Sequence, residues 1–244
     1  EITYGDWSSD VCSSDLALAL ILITSCSSPS ETKPITVISD SAQISKSSAE
    51  NFETGKIINS VFCRNAGTES YALYLPIDYL KDTTYQWPIV YFFDSPGDGS
   101  FPLSKYQSLG EKYHFILAGS NNSKNGNDWE TTKQIWNNLL SDTKLRLRIN
   151  TNEIYTAGFS GGAKVALFAA MNSTEVKSVV ANSAAFPDVV NSSGKFSIVG
   201  LAGTGDMNMT EVIDQDEALD KTDRNHALIL FDGKHEWAPL AAME

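Results

Sequence analysis

From residue 56 to residue 233, short apolar and β-branched runs alternate with segments of helical length, and this alternation leaves few folds open. KIINSVFCRN and ESYALYLP read as paired strands joined through a polar turn at Ala66 and Gly67. WPIVYFFDSPGDGS is an unbroken apolar run ending in turn residues, the mark of a strand buried on both faces. SKYQSLGEKY predicts a short helix, and FILAGSNNS a strand running into a polar loop. Residues 129–148 place Ile135, Trp136, Leu139, Leu140, Leu145 and Leu147 at helical spacing. EIYTAGFS predicts a strand and GGAKVALFAAM a helix of small and apolar residues. VKSVVANSAAF and FSIVGLAGTGD predict strands, NMTEVIDQDEALDKT a helix, and HALILFDG the last strand. Asn208 with Glu211 three positions on resembles a capping box at the start of that last helix. Strands separated by helices of this length imply a mostly parallel sheet with helices on both faces, an α/β architecture. Ligands of such sheets sit beyond the carboxyl ends of the strands, so functional residues are expected there.

The N-terminal quarter has a different character. LALALILI (residues 16–23) is too short to span a bilayer and suits the apolar core of a signal peptide. The following ITSCSS resembles a bacterial lipobox, which makes Cys26 the expected lipidation site and the cell envelope the expected location. Its alternative is a buried strand with a chance cysteine. Residues 1–16 carry four acids and no Lys or Arg, unlike the basic start of a signal peptide. Their DVCSSDL back-translates to a sequence resembling a common short-read sequencing adapter, so residues 1–16 are expected to be an assembly artefact. The expected organisation is therefore artefact at 1–16, remnant of a signal peptide at 16–25, flexible Ser/Thr-rich tether at 26–54, and catalytic domain at 55–244. The fold usually supplies a further helix after the last strand, so the domain is expected to be truncated at its C-terminus. A formal charge of −12 argues against a nucleic-acid partner. Membrane contact is expected through the lipid anchor only.

The motif of most chemical interest is Gly158-Phe159-Ser160-Gly161-Gly162, which matches G-x-S-x-G. A strand-like run precedes it and a helix of small residues follows. That is the setting for a sharp turn that lifts a serine clear of the sheet, with glycines where side chains would clash. The plainer alternative is a small residue in a tight turn. A serine hydroxyl needs a histidine to take its proton, and the histidine needs an acid to orient it. Of the three histidines, His114 and His226 stand at the entrances of strands and read as surface or core residues. His235 follows the last strand, and Asp206 follows SIVGLAGTG, each at a carboxyl end. Ser160, Asp206 and His235 thus occur in the order nucleophile, acid, base.

With that order and with IYTAGFSGGA, GTGD, GKHEW and the loop after PIVYFFD, the chain from about residue 57 onward resembles the α/β-hydrolase superfamily. It is most similar there to secreted esterases related to feruloyl esterases, polyhydroxyalkanoate depolymerases and dienelactone-hydrolase-like proteins. The resemblance implies an oxyanion hole with one donor at the Gly161 N–H and the other in DSPGDGS. Pro96 has no N–H to give. The second donor is therefore expected at Asp98, with Gly97 behind it. Trp237, Trp129 and Trp136 are candidates to line a substrate pocket or to pack, Trp237 and Trp129 being the expected substrate-binding pair and Trp237 the better placed, two residues after His235. The polar loop GSNNSKNGNDW either borders the cleft or is simply solvated. No metal-ligand spacing and no dinucleotide or phosphate-loop pattern occurs, and no cofactor is expected.

The expected function is that of a serine hydrolase cleaving a small-molecule or polymer-linked carboxylic ester through an acyl-enzyme. The alternatives are an envelope lipoprotein that keeps the fold without catalysis, and a serine peptidase of the same superfamily.

Overall fold

A computed structural model describes residues 52–244. The expected artefact, signal remnant and Cys26, and the tether as far as residue 51, lie outside the described residues. The elements are, in order, β1 (Ile57–Cys63), β2 (Ala66–Tyr74), β3 (Trp87–Phe93), α1 (Ser100–Tyr113), β4 (Ile116–Ser120), α2 (Trp129–Arg146), β5 (Ile149–Phe159), α3 (Gly161–Met171), β6 (Val176–Asn182), β7 (Ser197–Gly203), α4 (Met209–Leu219), β8 (His226–Phe231) and the single turn α5 (Leu240–Met243). Short 3-10 turns fall at Ile77–Leu80 and Pro187–Val189.

The eight strands form one sheet in the order β1-β2-β4-β3-β5-β6-β7-β8. β2 runs antiparallel to both its neighbours, and every other pairing is parallel. The chain leaves β3 toward one edge and returns through β5 toward the other, so β3 and β5 flank the point where the strand order reverses. β3 is buried along almost its whole length, as expected for a strand covered on both faces. Its Ile89, Tyr91 and Phe93 pack with Trp136 and Leu139 of α2 and Ala163, Ala166 and Ala170 of α3. Its Phe92 faces the other way, onto Leu103 and Tyr106 of α1. Small residues on α3 let it lie close to the sheet, where the Thr156 hydroxyl donates to Ala166 O at 3.1 Å.

Four details differ from what local sequence predicts. The β1–β2 turn is Arg64-Asn65, with Cys63 paired to Ala66 and Gly67 already in β2. It is held by the Arg64 N–H donating to Asp142 Oδ1 on α2 at 2.8 Å, a partner 78 residues away. Residues 52–54, placed in the tether by their polar neighbourhood, belong to the domain: Phe52 packs on the core and under the Arg146 guanidinium at 4.8 Å. α1 takes in all of residues 100–113, beginning four residues before the predicted helix. The capping box at α4 does not form. The Asn208 side chain donates to Ser183 O at 2.9 Å, and Glu211 accepts from the Ala185 N–H at 3.1 Å, so both serve the loop after β6 instead.

Candidate active site

Ser160 stands at the tip of β5 with φ 55 and ψ −121, a conformation that a non-glycine residue adopts only under constraint. The constraint is steric and local. A Cβ on Gly158 would lie 2.0 Å from Gly162 O, and one on Gly162 would lie 2.0 Å from Phe93 O. Both glycines are therefore required for strand, turn and helix to approach this closely. The Ser160 N–H is anchored to Asn182 O at the end of β6, at 2.8 Å. Gly161 opens α3, where a helix leaves its first N–H groups without intrahelical partners.

The structure brings the three triad candidates together. His235 Nε2 lies 3.0 Å from Ser160 Oγ, and His235 Nδ1 lies 2.9 Å from Asp206 Oδ1. The Asp206 side chain is fully buried while that of His235 is 24% exposed, so the acid is shielded and the base faces the opening. Burial by itself raises the Asp206 carboxyl. The nearby Ser183 hydroxyl, the Asn208 N–H and the His235 ring outweigh it and hold the group below the ordinary carboxylate value. Asp206 is thus a carboxylate throughout the neutral range, able to accept from Nδ1–H. His114 and His226 lie elsewhere, His114 as the left-handed cap of α1 and His226 at the start of β8 beside Asp216 and Asp220.

The loops carrying acid and base are laced to each other. Gly205 N–H donates to Gly233 O at 2.8 Å, and Thr204 N–H to Phe231 O at 2.8 Å. A Cβ on Gly203 would strike Gly233 O at 2.5 Å. Just past His235, the Ala238 N–H donates to Asn182 Oδ1 at 2.6 Å and Ala238 O accepts from the Tyr106 hydroxyl at 2.7 Å. The ring of Phe159 lies 4.8 Å from that of His235.

Trp237 is 3% exposed, packed rather than presented to solvent. Its indole packs with Phe92, Tyr106 and Phe159, and its Nε1–H donates to the buried Asp94 carboxylate at 2.8 Å. It ties the histidine loop to the end of β3. Trp136 is core, 1% exposed, against Tyr91 and Phe93. Trp129 is 44% exposed and stacks on Phe168 at 4.7 Å, with Phe186 5.2 Å away. Asn182, Ser183, Asp94 and Ser95 escaped sequence reasoning as supports of the site. Their signal was position alone, since all four stand at the carboxyl ends of β6 and β3.

Burial pushes the Asp94 carboxyl upward and the charge of Asp98 adds to this, while Trp237 and the Ser95 N–H pull it back. A raised folded value means that its contribution to stability is complete below the ordinary carboxylate range and is lost as pH rises through the folded value. Asp94→Asn keeps an acceptor for Trp237 and cannot ionise. It is expected to melt a few degrees above the parent at pH 7 to 8, with the gap closing below about pH 4. Melting curves across that range check it, and a gap independent of pH contradicts it.

Of the two residues expected to give the second oxyanion donor, Gly97 has its N–H already engaged. The Gly97 N–H is spent on Asp94 O at 3.0 Å. Cβ atoms built on Gly97 and Gly99 would meet Ser123, Lys124 and Gly119, so this loop packs on the end of β4 and on the residues that follow it. The Asp98 carboxylate turns back to accept from the Ser100 N–H at 3.0 Å and its hydroxyl at 2.7 Å. Ser95 is the residue of this loop that reaches the elbow: its hydroxyl donates to Phe159 O at 2.8 Å.

No family model matches the chain, and no curated protein matches its sequence. Solved structures do match. A serine-to-alanine mutant of the feruloyl esterase module from Clostridium thermocellum, complexed with sinapinate, superposes with a TM-score of 0.62 at 15% identity, over 75% of this chain and 83% of that one. The S-formylglutathione hydrolase of Staphylococcus aureus superposes with a TM-score of 0.61 at 11% identity, over 74% and 91%. This chain has the α/β-hydrolase fold. The same hydrolase fold is found in the acylaminoacyl peptidase of Pyrococcus horikoshii, at a TM-score of 0.56 and 10% identity, over 68% of this chain and 35% of that one. Within the α/β-hydrolase fold, Ser160, Asp206 and His235 lie just past β5, β7 and β8, at the carboxyl ends of the strands.

Proposed function

We propose that the protein is a serine hydrolase that cleaves a carboxylic ester through an acyl-enzyme. One observation carries the reading: Ser160 Oγ, His235 and buried Asp206 form an unbroken relay of 3.0 and 2.9 Å, with the serine on a strained elbow. Ser160 Oγ attacks the ester carbonyl while His235 Nε2 takes its proton. The resulting imidazolium is oriented and stabilised by Asp206, and the oxyanion is received by the Gly161 N–H. His235 then protonates the departing alkoxide. Water, deprotonated in turn by His235, attacks the acyl-serine, and His235 returns that proton to Ser160 Oγ as the acid is released. The reading extends to location, since lipidation at Cys26 would hold such an enzyme at the bacterial envelope.

The experiment is labelling by a fluorophosphonate probe alongside turnover of a panel of p-nitrophenyl esters and peptide anilides. Covalent modification at Ser160, located by peptide mass spectrometry, with turnover of esters above anilides is the expected result. Absence of both labelling and turnover in folded protein would establish the non-catalytic alternative. Faster cleavage of anilides would move the assignment to a peptidase.

A further inference from the structure

Most of the loop after β3 has no N–H to spare for an oxyanion. Pro96 has no N–H, the Gly97 N–H goes to Asp94 O, the Gly99 N–H goes to Asn121 Oδ1 at 3.1 Å, and the Ser100 N–H goes to Asp98. A single donor at Gly161 is a weak receptor for a tetrahedral oxyanion, since each such donor is worth about 10²–10³ in rate. Another loop reaches the same place. Asn125, between β4 and α2, is held over the elbow by its N–H donating to Ser95 O at 2.9 Å. Its side chain lies against Gly161: a Cβ there would be 1.9 Å from Asn125 Oδ1, 2.9 Å from Cγ and 3.4 Å from Nδ2. Gly161 therefore lacks a side chain where the amide sits. Asn125 is exposed, and no described residue hydrogen-bonds its amide.

We propose that the Asn125 side-chain amide is the second oxyanion donor, completing with the Gly161 N–H the receptor for the substrate carbonyl oxygen. The proposal rests on the serine-hydrolase reading. With Oδ1 turned to the Gly161 α-carbon, Nδ2 is the end of the amide that can donate. Nδ2 and the Gly161 nitrogen are at most about 6 Å apart, a span that one oxygen bridges with two ordinary hydrogen bonds. The donor moves from the β3 loop to the β4–α2 loop, which gives both Pro96 and the bare Gly161 a reason.

The test compares Asn125→Ala and Asn125→Asp in the full chain, with p-nitrophenyl acetate as substrate. The aspartate keeps the shape and the backbone bond to Ser95 but removes the donor and sets a negative charge beside the oxyanion. Both variants are expected to lose about 10²–10³ in kcat with little change in KM or melting temperature, and to react with the fluorophosphonate correspondingly more slowly. If the alanine variant fails to fold, the aspartate variant decides. Either folded variant keeping kcat within about tenfold of the parent overturns the proposal while leaving the hydrolase reading in place. A parent that neither turns over ester nor labels overturns both.

Discussion

Ester turnover by Ser160→Ala protein is expected to fall by about 10⁶, to the level that binding and the oxyanion site sustain without a nucleophile. The fold should survive. Alanine inherits the same left-handed backbone strain as serine, and the Ser160 N–H bond to Asn182 O is a backbone bond that the change leaves alone. What is lost is one part-buried hydrogen bond to His235, worth about 0.5–1.5 kcal/mol. The measurement is burst and steady-state release of p-nitrophenol, with melting curves as the control. A folded alanine variant that retains turnover places the nucleophile elsewhere and ends the serine-hydrolase reading.

Asp206→Asn is expected to lower kcat by about 10⁴ while keeping the site's shape. Asp206 Oδ1 accepts from two donors, the His235 ring and the Asn208 N–H at 2.8 Å. Asparagine offers one oxygen and one N–H₂. With its oxygen at the Oδ1 position it still accepts from both donors but carries no charge; turned over, its amide nitrogen faces His235 Nδ1 and stabilises the tautomer that has hydrogen on Nε2. That tautomer cannot take the Ser160 proton, and no carboxylate remains to stabilise the imidazolium. The readouts are kcat and the rate of fluorophosphonate labelling, which should fall together because both need the activated serine. A variant that loses turnover but labels at the parental rate would show that Asp206 acts after acylation.

The legible parts of this protein were those decided within a few residues. The alternation of strand and helix, the burial of WPIVYFF and the glycine–serine–glycine turn depend on neighbours in the chain. Steric demands at Gly158 and Gly162 come from atoms no more than a few residues away or on the adjacent strand. Position at a strand tip was enough to single out Asp206 and His235, because a parallel sheet gathers all its carboxyl ends at one edge. The Arg64-Asn65 turn, the fate of Asn208 and Glu211, and the burial of Trp237 were not legible, since each answers to a partner far away in sequence. Trp237 donates to Asp94 across 143 positions, and Glu211 reaches Ala185 across 26.

The amino-acid sequence by itself determined an α/β sheet with a serine on a glycine-flanked turn and an acid and a base at later strand ends. Only the tertiary structure decided which polar groups remain free to act. A backbone N–H or a side-chain amide looks the same in sequence whether it is spent or available, and its use is settled by what the fold brings within about 3 Å. On that ground the Gly97 and Gly99 N–H groups turned out to be spent on Asp94 and Asn121, and the side-chain amide set against Gly161 was that of Asn125.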